Sequence, residues 1–244
     1  MHQEPSPNWE KIKAVIFDVD GTLYTQSRLR KKMLLALVRY YAVRPWRIKD
    51  LAILYHFRVE REKKAGFSLG NIEAAQYEWC AEKGSFSIPR IRQVIEHWMF
   101  RFPNQYLKAC MYPGTKLFFT ALGQNGLKTG IYSDYKAADK LKAMELSADI
   151  VVCSTDKEVD CLKPNPKGLL YIAEKLGVAP AECLFIGDRV ELDAACAMQA
   201  NMPYLIVEKK PFKQFDFYSN LEKTLNRHRQ ATRQPTLRLQ PDAV

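Results

Sequence analysis

The hydrophobic pattern begins with an unbroken apolar run, Ala14 to Phe17, which ends abruptly in the polar sequence Asp18-Val19-Asp20-Gly21-Thr22. Continuous apolar residues are typical of a strand buried on both faces of a parallel sheet, whereas a half-exposed strand alternates apolar and polar residues. Asp18 would then lie at the carboxyl end of the strand, which is where open α/β sheets bind ligands. The alternative is a strand and a turn in which Asp and Gly serve the turn alone.

Helical spacing of apolar residues replaces this pattern over the next part of the chain. The predicted helices cover residues 28–41, 45–64, 71–84 and 89–98. Because no strand pattern interrupts them, we predict an all-helical insertion over residues 26–108. Trp46, Trp79 and Trp98 lie inside it, and we interpret them as packing residues of a small bundle rather than as base-stacking groups.

Strands and helices then alternate along the rest of the chain. The predicted strands cover residues 127–132, 149–153, 183–186 and 203–207, and the predicted helices cover residues 115–123, 137–146, 166–176, 191–199 and 215–226. Such alternation is typical of a parallel sheet with helices on both faces. We therefore predict an α/β fold whose parallel-sheet core comprises residues 1–25 and 109–226, followed by a disordered polar tail, residues 227–244.

The composition narrows the class of protein. The chain has 244 residues, enough for a core with an insertion, and it contains no apolar run long enough to span a bilayer. The N-terminus lacks a signal-peptide pattern, so we expect a soluble, cytoplasmic protein. The six cysteines show no C-x-x-C spacing, and we expect reduced, mostly buried thiols rather than a zinc site.

The formal charge of +10 is concentrated in one segment of the chain. Residues 26–108 contain 17 Lys and Arg against 7 Asp and Glu, which is the whole excess of positive charge. A local excess of this kind indicates an anionic partner, which could be a phosphate ester, a nucleic acid or an acidic lipid surface. The alternative is a set of solvated helix faces with no partner.

Two acidic segments suggest a metal site. Asp18 and Asp20 are close enough in sequence to repel each other unless a cation or a shared proton intervenes, and Mg²⁺ is a suitable hard cation. A second apolar strand runs into Gly187 and Asp188, where Gly187 allows a close turn and Asp188 could provide a third oxygen ligand. Asp193 follows, either as a favourable charge in the first turn of a helix or as a partner for Lys163 or metal-bound water.

Two further polar residues follow predicted strands. Ser133 could donate to a phosphoryl oxygen beside Asp18, or it could simply cap the next helix. Lys163 precedes Pro164-Asn165-Pro166, whose stiff backbone could hold the ammonium over a cluster of carboxylates. The alternative for Lys163 is a surface position in a proline-rich loop.

Taken together, these segments resemble a known family. The sequence D-x-D-G-T at residues 18–22, Ser133, Lys163 and G-D-x-x-x-x-D at residues 187–193 are similar to the four motifs of the haloacid dehalogenase superfamily, in its Mg²⁺-dependent phosphatase branch. The resemblance extends over residues 12–207. It implies a Rossmann-like core, and the helical segment between the first and second motifs resembles the cap domain that many members insert there.

The resemblance also implies a role for each matching residue. Asp18 would be the nucleophile that forms an aspartyl-phosphate, and Asp20 would be the general acid and then the general base. The phosphoryl group would be bound by Ser133, Asp134 and Lys163. The Asp18 and Asp188 side chains and the Asp20 backbone carbonyl would hold Mg²⁺, and these groups would be supported by Thr22, Gly187 and Asp193.

The resemblance leaves more than one activity open. Dehalogenases of the superfamily lack a carboxylate at the position of Asp20, so we expect hydrolysis of a small organic phosphate monoester, with Arg28, Arg58 and Arg61 as candidate contacts to an anionic substrate. A phosphomutase of the same superfamily is the alternative. A third hypothesis is a basic cap that docks on an anionic surface; nucleic acid is not the expected partner.

Overall fold

The computed structural model describes residues 7–68 and 70–233. Its centre is a five-stranded sheet of parallel strands in the order β3-β2-β1-β4-β5. The strands are β1 (Ala14–Phe17), β2 (Lys128–Ser133), β3 (Ile150–Cys153), β4 (Cys183–Gly187) and β5 (Tyr204–Ile206). The predicted α/β fold with a parallel sheet is confirmed.

Helices cover both faces of this sheet, as the apolar runs predict. They are α6 (Thr115–Gln124), α7 (Ala138–Met144), α8 (Lys167–Leu176), α9 (Ala195–Gln199) and α10 (Phe217–Arg233). Successive strand residues point to opposite faces. Val15 and Phe17 therefore pack in one apolar cluster with Phe118 of α6, while Ile16 packs in a second cluster with Ile172 of α8.

In the described part of the chain, five helices lie between β1 and α6. They are α1 (Gln26–Ala42), α2 (Asp50–Glu62), α3 (Ile72–Gly84), α4 (Ile88–Ile95) and α5 (Asn104–Cys110), and a π-helical turn, Glu96–Arg101, follows α4. Phe57, Ile91 and Trp98 belong to an apolar cluster formed by these helices. Trp98 is thus a packing residue as predicted, but Trp46 is 74% exposed and the prediction that it packs in the bundle is wrong.

Two other boundaries differ from the prediction. The predicted second helix starts at Pro45, but Pro45–Arg47 forms a 3₁₀ turn and α2 begins at Asp50. The last helix continues to Arg233, because residues 227–233 are rich in Arg, Gln and Ala, which favour helix. The predicted disorder is therefore wrong for residues 227–233, and the remainder of that segment, 234–244, lies outside the described residues. Within the described part of the chain, no helix is long and apolar enough to cross a membrane.

Candidate active site

The candidate site lies at the carboxyl edge of the sheet, where the two central strands end side by side. Phe17 of β1 is in register with Ile186 of β4, and the Asp18 N–H donates to the Ile186 carbonyl at 2.9 Å. Asp18 and Asp188 therefore leave neighbouring strands at the same level. This placement follows from the parallel pairing, since both strands present their carboxyl ends to one crevice.

Asp18 and Asp193 share a buried lysine. The ammonium of Lys163 lies 2.8 Å from Asp18 Oδ1 and 2.9 Å from Asp193 Oδ1, and the Lys163 side chain is completely buried. Burial disfavours the ammonium, but the two carboxylates outweigh it and hold the pKa of Lys163 well above its ordinary value. Burial raises the pKa of Asp18, and Lys163 opposes that shift. Lys163 thus offsets part of the negative charge of the site.

Two glycines allow the acidic groups to approach the backbone. Gly21 has φ +104°, and a Cβ there would lie 2.3 Å from Asp188 Oδ2. A Cβ on Gly187 would lie 2.3 Å from the Cβ of Asp193. The neighbouring Thr22 hydroxyl donates to Asp18 Oδ2 at 2.9 Å. The close turn expected at Gly187 is therefore present, and side chains at either glycine would displace a carboxylate.

Three carboxylates could contribute to a cation site. Oxygen atoms of Asp18, Asp188 and Asp193 all lie within 4.8 Å of one another. Asp193 Oδ2 is already occupied, since it accepts from the backbone N–H groups of Asp188 and Arg189 at 3.1 and 3.0 Å. Asp188 Oδ1, in contrast, is buried and accepts no hydrogen bond from the described residues. Asp18 and Asp188 line the cavity and are thus the better candidate ligands, whereas Asp193 is not among the lining residues and orients Lys163 and the turn after β4.

The buried acid Asp188 carries a second sign of a cation site. Burial and the charge of Asp193 raise the pKa of Asp188 to about 6, although Arg189 and Lys209 oppose the shift. Their cationic nitrogens lie 4.0 and 3.7 Å from its carboxylate oxygens, beyond hydrogen-bonding distance. A hard divalent cation prefers such carboxylate oxygens and would remove the cost of burying Asp188 Oδ1 without a hydrogen-bond donor.

Asp20 is paired with a lysine that the sequence did not single out. Lys140 on α7 places its ammonium 2.6 Å from both carboxylate oxygens of Asp20, and the Tyr24 hydroxyl also donates to Oδ1. Burial would raise the pKa of Asp20, but Lys140 and Tyr24 outweigh it and lower the pKa. The side chain of Gln26 donates to the Asp20 backbone carbonyl at 2.6 Å. Lys140 is one of several lysines on or near α7, so spacing alone could not have identified it.

Ser133 and Asp134 lie at the end of β2 and make contacts of their own. Ser133 ends β2 and is fully buried, and its Oγ accepts from the Tyr135 N–H at 3.3 Å. The Asp134 carboxylate lies 2.8 Å from Arg189 Nη2 and accepts a hydrogen bond from Ser154. A carboxylate held in an ion pair repels a phosphate. The Asp134 side chain is thus engaged by Arg189 and Ser154, and its part in phosphate binding stays a prediction.

The candidate arginines have different positions. Arg58 and Arg61 of α2 line the cavity above the sheet edge, whose volume is about 830 Å³. Arg61 is buried, donates to Gln76 at 2.6 Å and to the Asp134 carbonyl, and lies over the Tyr135 ring. Arg28 instead stacks on the ring of Phe212 at 3.8 Å and is not among the residues that line the cavity. Arg28 is therefore not a substrate contact in this arrangement.

Comparison with known proteins places this geometry in a family. A model of the haloacid dehalogenase-like hydrolases matches residues 12–201. The protein YhcW of Bacillus subtilis (strain 168), a phosphatase by name, is 41% identical over 113 residues, which are 45% of this chain and 51% of YhcW. The glyceraldehyde 3-phosphate phosphatase of Methanopyrus kandleri is 26% identical over 211 residues, 84% of this chain and 88% of that protein. The chain thus spans about half the length of YhcW and most of the second relative.

Solved structures show the same fold. The 2-haloacid dehalogenase of Pseudomonas syringae pv. Tomato DC3000 has a TM-score of 0.58 at 18% identity and covers 89% of this chain and 99% of its own. The β-phosphoglucomutase of Clostridium difficile has a TM-score of 0.57 at 20% identity, covering 89% and 98%. At these identities the likeness shows the fold alone, which is a Rossmann-like parallel sheet with surrounding helices. Together with the family match over most of its length, it establishes that the chain belongs to the haloacid dehalogenase-like hydrolases.

Proposed function

We propose that this chain is a Mg²⁺-dependent phosphatase that hydrolyses an organic phosphate monoester through an aspartyl-phosphate on Asp18. Three groups at one edge of the sheet carry the proposal. They are the buried carboxylate of Asp18, the buried ammonium of Lys163 that contacts it, and the carboxylate of Asp20 two residues later. A carboxylate can attack a dianionic ester only where cations neutralise the repulsion. Lys163 supplies one such charge beside Asp18.

The two displacements assign complementary tasks to Asp18 and Asp20. In the first, an Asp18 oxygen bonds to phosphorus, the bond from phosphorus to the ester oxygen breaks, and Asp20 gives that oxygen a proton. In the second, Asp20 accepts a proton from water as the water oxygen attacks phosphorus, which releases phosphate and restores the Asp18 carboxylate. A group that can act as both acid and base is needed on the leaving side. Lys140 and Tyr24 orient Asp20 for that task.

The residues present suit a divalent cation. The carboxylates of Asp18 and Asp188 and the backbone carbonyl of Asp20 would hold Mg²⁺, and the unpartnered Asp188 Oδ1 is the observation that supports this fit. A bound Mg²⁺ would offset the charge of the transferring phosphoryl group. Asp193 is better suited to hold Lys163, because it does not line the cavity and instead accepts from Lys163 and from the turn after β4.

Phosphate esters suit the site better than haloacids. An alkoxide leaving group needs a proton, whereas a halide does not, and Asp20 is the proton donor that a dehalogenase would not require. The names of the sequence relatives, a phosphatase and a glyceraldehyde 3-phosphate phosphatase, agree with this choice. We also propose that residues 26–108, which contain α1 to α4 and most of α5, act as a cap that covers the cavity and excludes water from it, while residues 1–25 and 109–226 form the core.

The test is release of inorganic phosphate from a panel of phosphate esters with Mg²⁺, for the wild type and Asp18→Asn. We expect the substitution to reduce the rate at least about a thousandfold, because the amide cannot act as the nucleophile. Asp139→Asn, an exposed position on α7, is the control and should keep the wild-type rate. Equal rates for Asp18→Asn and the wild type would remove Asp18 as nucleophile, and phosphoryl transfer to another hydroxyl without phosphate release would indicate a mutase.

A further inference from the structure

The cavity has a polar end at the sheet edge and an apolar end among the inserted helices. The polar end contains the acids and the two lysines already described. At the other end, α1, the first part of α2 and the π-helical turn line the cavity with Met33, Leu37, Leu51, Leu54, Trp98 and Met99, and with Tyr55. The charged lining residues of α2, Arg58, Arg61 and Glu62, belong to the last part of that helix. Alkyl, thioether and aromatic groups of this kind offer little to a hydroxyl-rich leaving group, which needs hydrogen-bond partners once it leaves water.

The apolar wall extends well beyond the reacting groups. Gln26, in the first turn of α1, donates to the Asp20 carbonyl, and Met33 and Leu37 line the cavity further along the same helix. With a rise of about 1.5 Å per residue, Leu37 lies roughly 16 Å along α1 from the level of Gln26. The leaving group of a two- or three-carbon phosphate would contact only the polar end and leave most of this wall in contact with water.

We propose that the substrate is an amphiphilic phosphomonoester whose leaving group carries an alkyl or acyl chain along α1 and α2. This inference rests on the proposed function and names its substrate class. The chain would cover Leu37 and Leu54, which are half-buried side chains on the cavity wall. Burial of apolar surface would then contribute directly to selection of the leaving group.

The test compares ethyl, butyl and octyl phosphate, each below its aggregation concentration, with Mg²⁺. We expect kcat/KM to rise at least about tenfold from ethyl to octyl phosphate, because each buried methylene favours binding by about fourfold. The double variant Leu37→Asn/Leu54→Asn should reduce that ratio to about two or less. Leu117→Asn, an exposed leucine on α6, is the matched control and should keep the wild-type ratio.

The outcomes separate the inference from the proposed function. Hydrolysis of ethyl and octyl phosphate with equal kcat/KM, or a preference for glycerol phosphate, would overturn the substrate class and leave the phosphatase intact. Absence of hydrolysis for every ester would overturn the phosphatase. In that case, calorimetry measures the binding of octyl and ethyl phosphate to Asp18→Asn. Tighter binding of octyl phosphate would support the amphiphilic substrate class, and equal binding of the two esters would overturn it.

An independent observation concerns the opposite side of α1 and the loop after it. Leu34, Leu35 and Val38 are more than half exposed, as are Val43 and Ile48 of the loop, and Trp46 is 74% exposed. On α1 these residues alternate with exposed basic residues such as Lys31 and Arg39. We call this surface, residues 31, 34, 35, 38 and 39 of α1 and 43–49 of the loop, the α1 face. A contiguous patch of exposed apolar residues marks a surface that contacts a partner or a membrane, whereas single exposed apolar residues are ordinary.

The charge of the α1 face selects the class of partner. Between Gly21 and Lys49 the chain contains eight Lys and Arg and no Asp or Glu. A second copy of this surface would bring like charges together, which disfavours a symmetric dimer. Nucleic acid would match the charge but would not cover the aliphatic side chains. A surface of Trp, aliphatic and basic residues, here on α1 and the loop after it, is the combination that binds anionic lipid surfaces.

We infer that the α1 face docks on an anionic lipid bilayer. Trp46, Val43 and Ile48 would enter the boundary between headgroups and acyl chains, while the basic residues contact the headgroups. Because α1 also lines the cavity through Met33 and Leu37, docking would bring the apolar end of the cavity close to the bilayer.

The test is co-sedimentation with vesicles of phosphatidylglycerol and phosphatidylcholine, and with vesicles of phosphatidylcholine alone. We expect the wild type to bind the anionic vesicles, more weakly at high salt, and Val43→Ser/Trp46→Ser to bind at least about tenfold more weakly. Leu117→Ser/Leu170→Ser removes two exposed leucines elsewhere and should bind like the wild type. Equal binding of both double variants, tighter binding to an oligonucleotide, or a wild-type dimer that only Val43→Ser/Trp46→Ser dissociates would overturn the inference.

Discussion

At the scale of single residues, the pairing of Asp20 with Lys140 shapes the proposed chemistry most. The ammonium contacts both carboxylate oxygens, and Lys140 is 6% exposed, so water screens the pair only weakly. Lys140 lowers the pKa of Asp20, which keeps this acid ionised in the free protein. An ionised Asp20 is ready to act as the base of the second displacement, and it must acquire a proton before the first.

Replacement of Lys140 by Met should therefore reduce kcat by about ten- to a hundredfold, since Asp20 loses the group that orients it. The substitution also raises the pKa of Asp20, so the basic limb of the pH profile of kcat/KM, which requires protonated Asp20 for the first displacement, should move to higher pH. Steady-state rates between pH 5 and 9 measure both effects. The exposed Lys142 on the same helix is the control, and a Lys140→Met profile that coincides with that of Lys142→Met would contradict the role.

Gly187 illustrates how little space separates the backbone from the acids. Gly187→Ala should lower the free energy of unfolding by about 1–3 kcal/mol. The Cβ of the new alanine would lie 2.3 Å from the Cβ of Asp193 and would overlap it. Urea denaturation measures the change. Gly123→Ala in α6 is the control, because a Cβ at this position would have no other atom within 4 Å. It should raise the free energy of unfolding by about 0.5–1 kcal/mol. A Gly187→Ala protein as stable as the wild type would show that the turn relaxes freely.

At the scale of elements, the loop between β3 and α8 connects the sheet to the inserted helices. Asp160 in this loop accepts from the backbone N–H groups of Asn71 and Ile72 at 2.6 and 2.7 Å, at the start of α3. Two residues later, the Leu162 N–H donates to the Phe67 carbonyl, and the Gly66 N–H donates to the carbonyl of Lys163. The backbone that carries Lys163 is thus held by the inserted segment, which couples the position of the helices to that of the ammonium.

Asp160→Ala should lower the free energy of unfolding by about 1–2 kcal/mol, because it leaves helix N-terminal donors without their carboxylate. Denaturation by urea, followed by far-UV circular dichroism, measures the loss. Glu158→Ala changes an exposed acid in the same loop and should have an effect below about 0.5 kcal/mol. If the two alanine variants have the same stability, the capping contact contributes nothing.

At the scale of the whole molecule, cation binding should stabilise the fold by joining the strand ends. Mg²⁺ at about a hundred times its dissociation constant adds roughly 2.7 kcal/mol to the free energy of unfolding, which raises the Tm of a chain of this size by about 5–10 °C. Asp188→Asn should abolish most of the shift, whereas Asp139→Asn should keep it. Differential scanning calorimetry with EDTA and with Mg²⁺ makes the measurement, and an equal shift in Asp188→Asn would exclude Asp188 as a ligand.

The sequence alone determined the order of strands and helices and the acids at the strand ends. Apolar runs such as Ala14 to Phe17 report local burial, and parallel pairing then brings Asp18 and Asp188 to the same edge whatever the details of packing. The lysine before Pro164 was also predictable, because a stiff backbone limits where Lys163 can point. These features depend on patterns within a few residues and on one rule of topology.

Only the tertiary structure decided which charges meet across long separations. The pair of Lys140 with Asp20, 120 residues apart, depends on how α7 packs beside the first loop, as the pair of Asp134 with Arg189 depends on the turn after β4. The contact of Arg28 with Phe212 and the exposure of Trp46 depend on the orientation of α1 and of the loop after it relative to the rest of the fold. A helical pattern fixes the spacing of side chains along one helix but not the rotation of that helix against the sheet, so these contacts required the assembled fold.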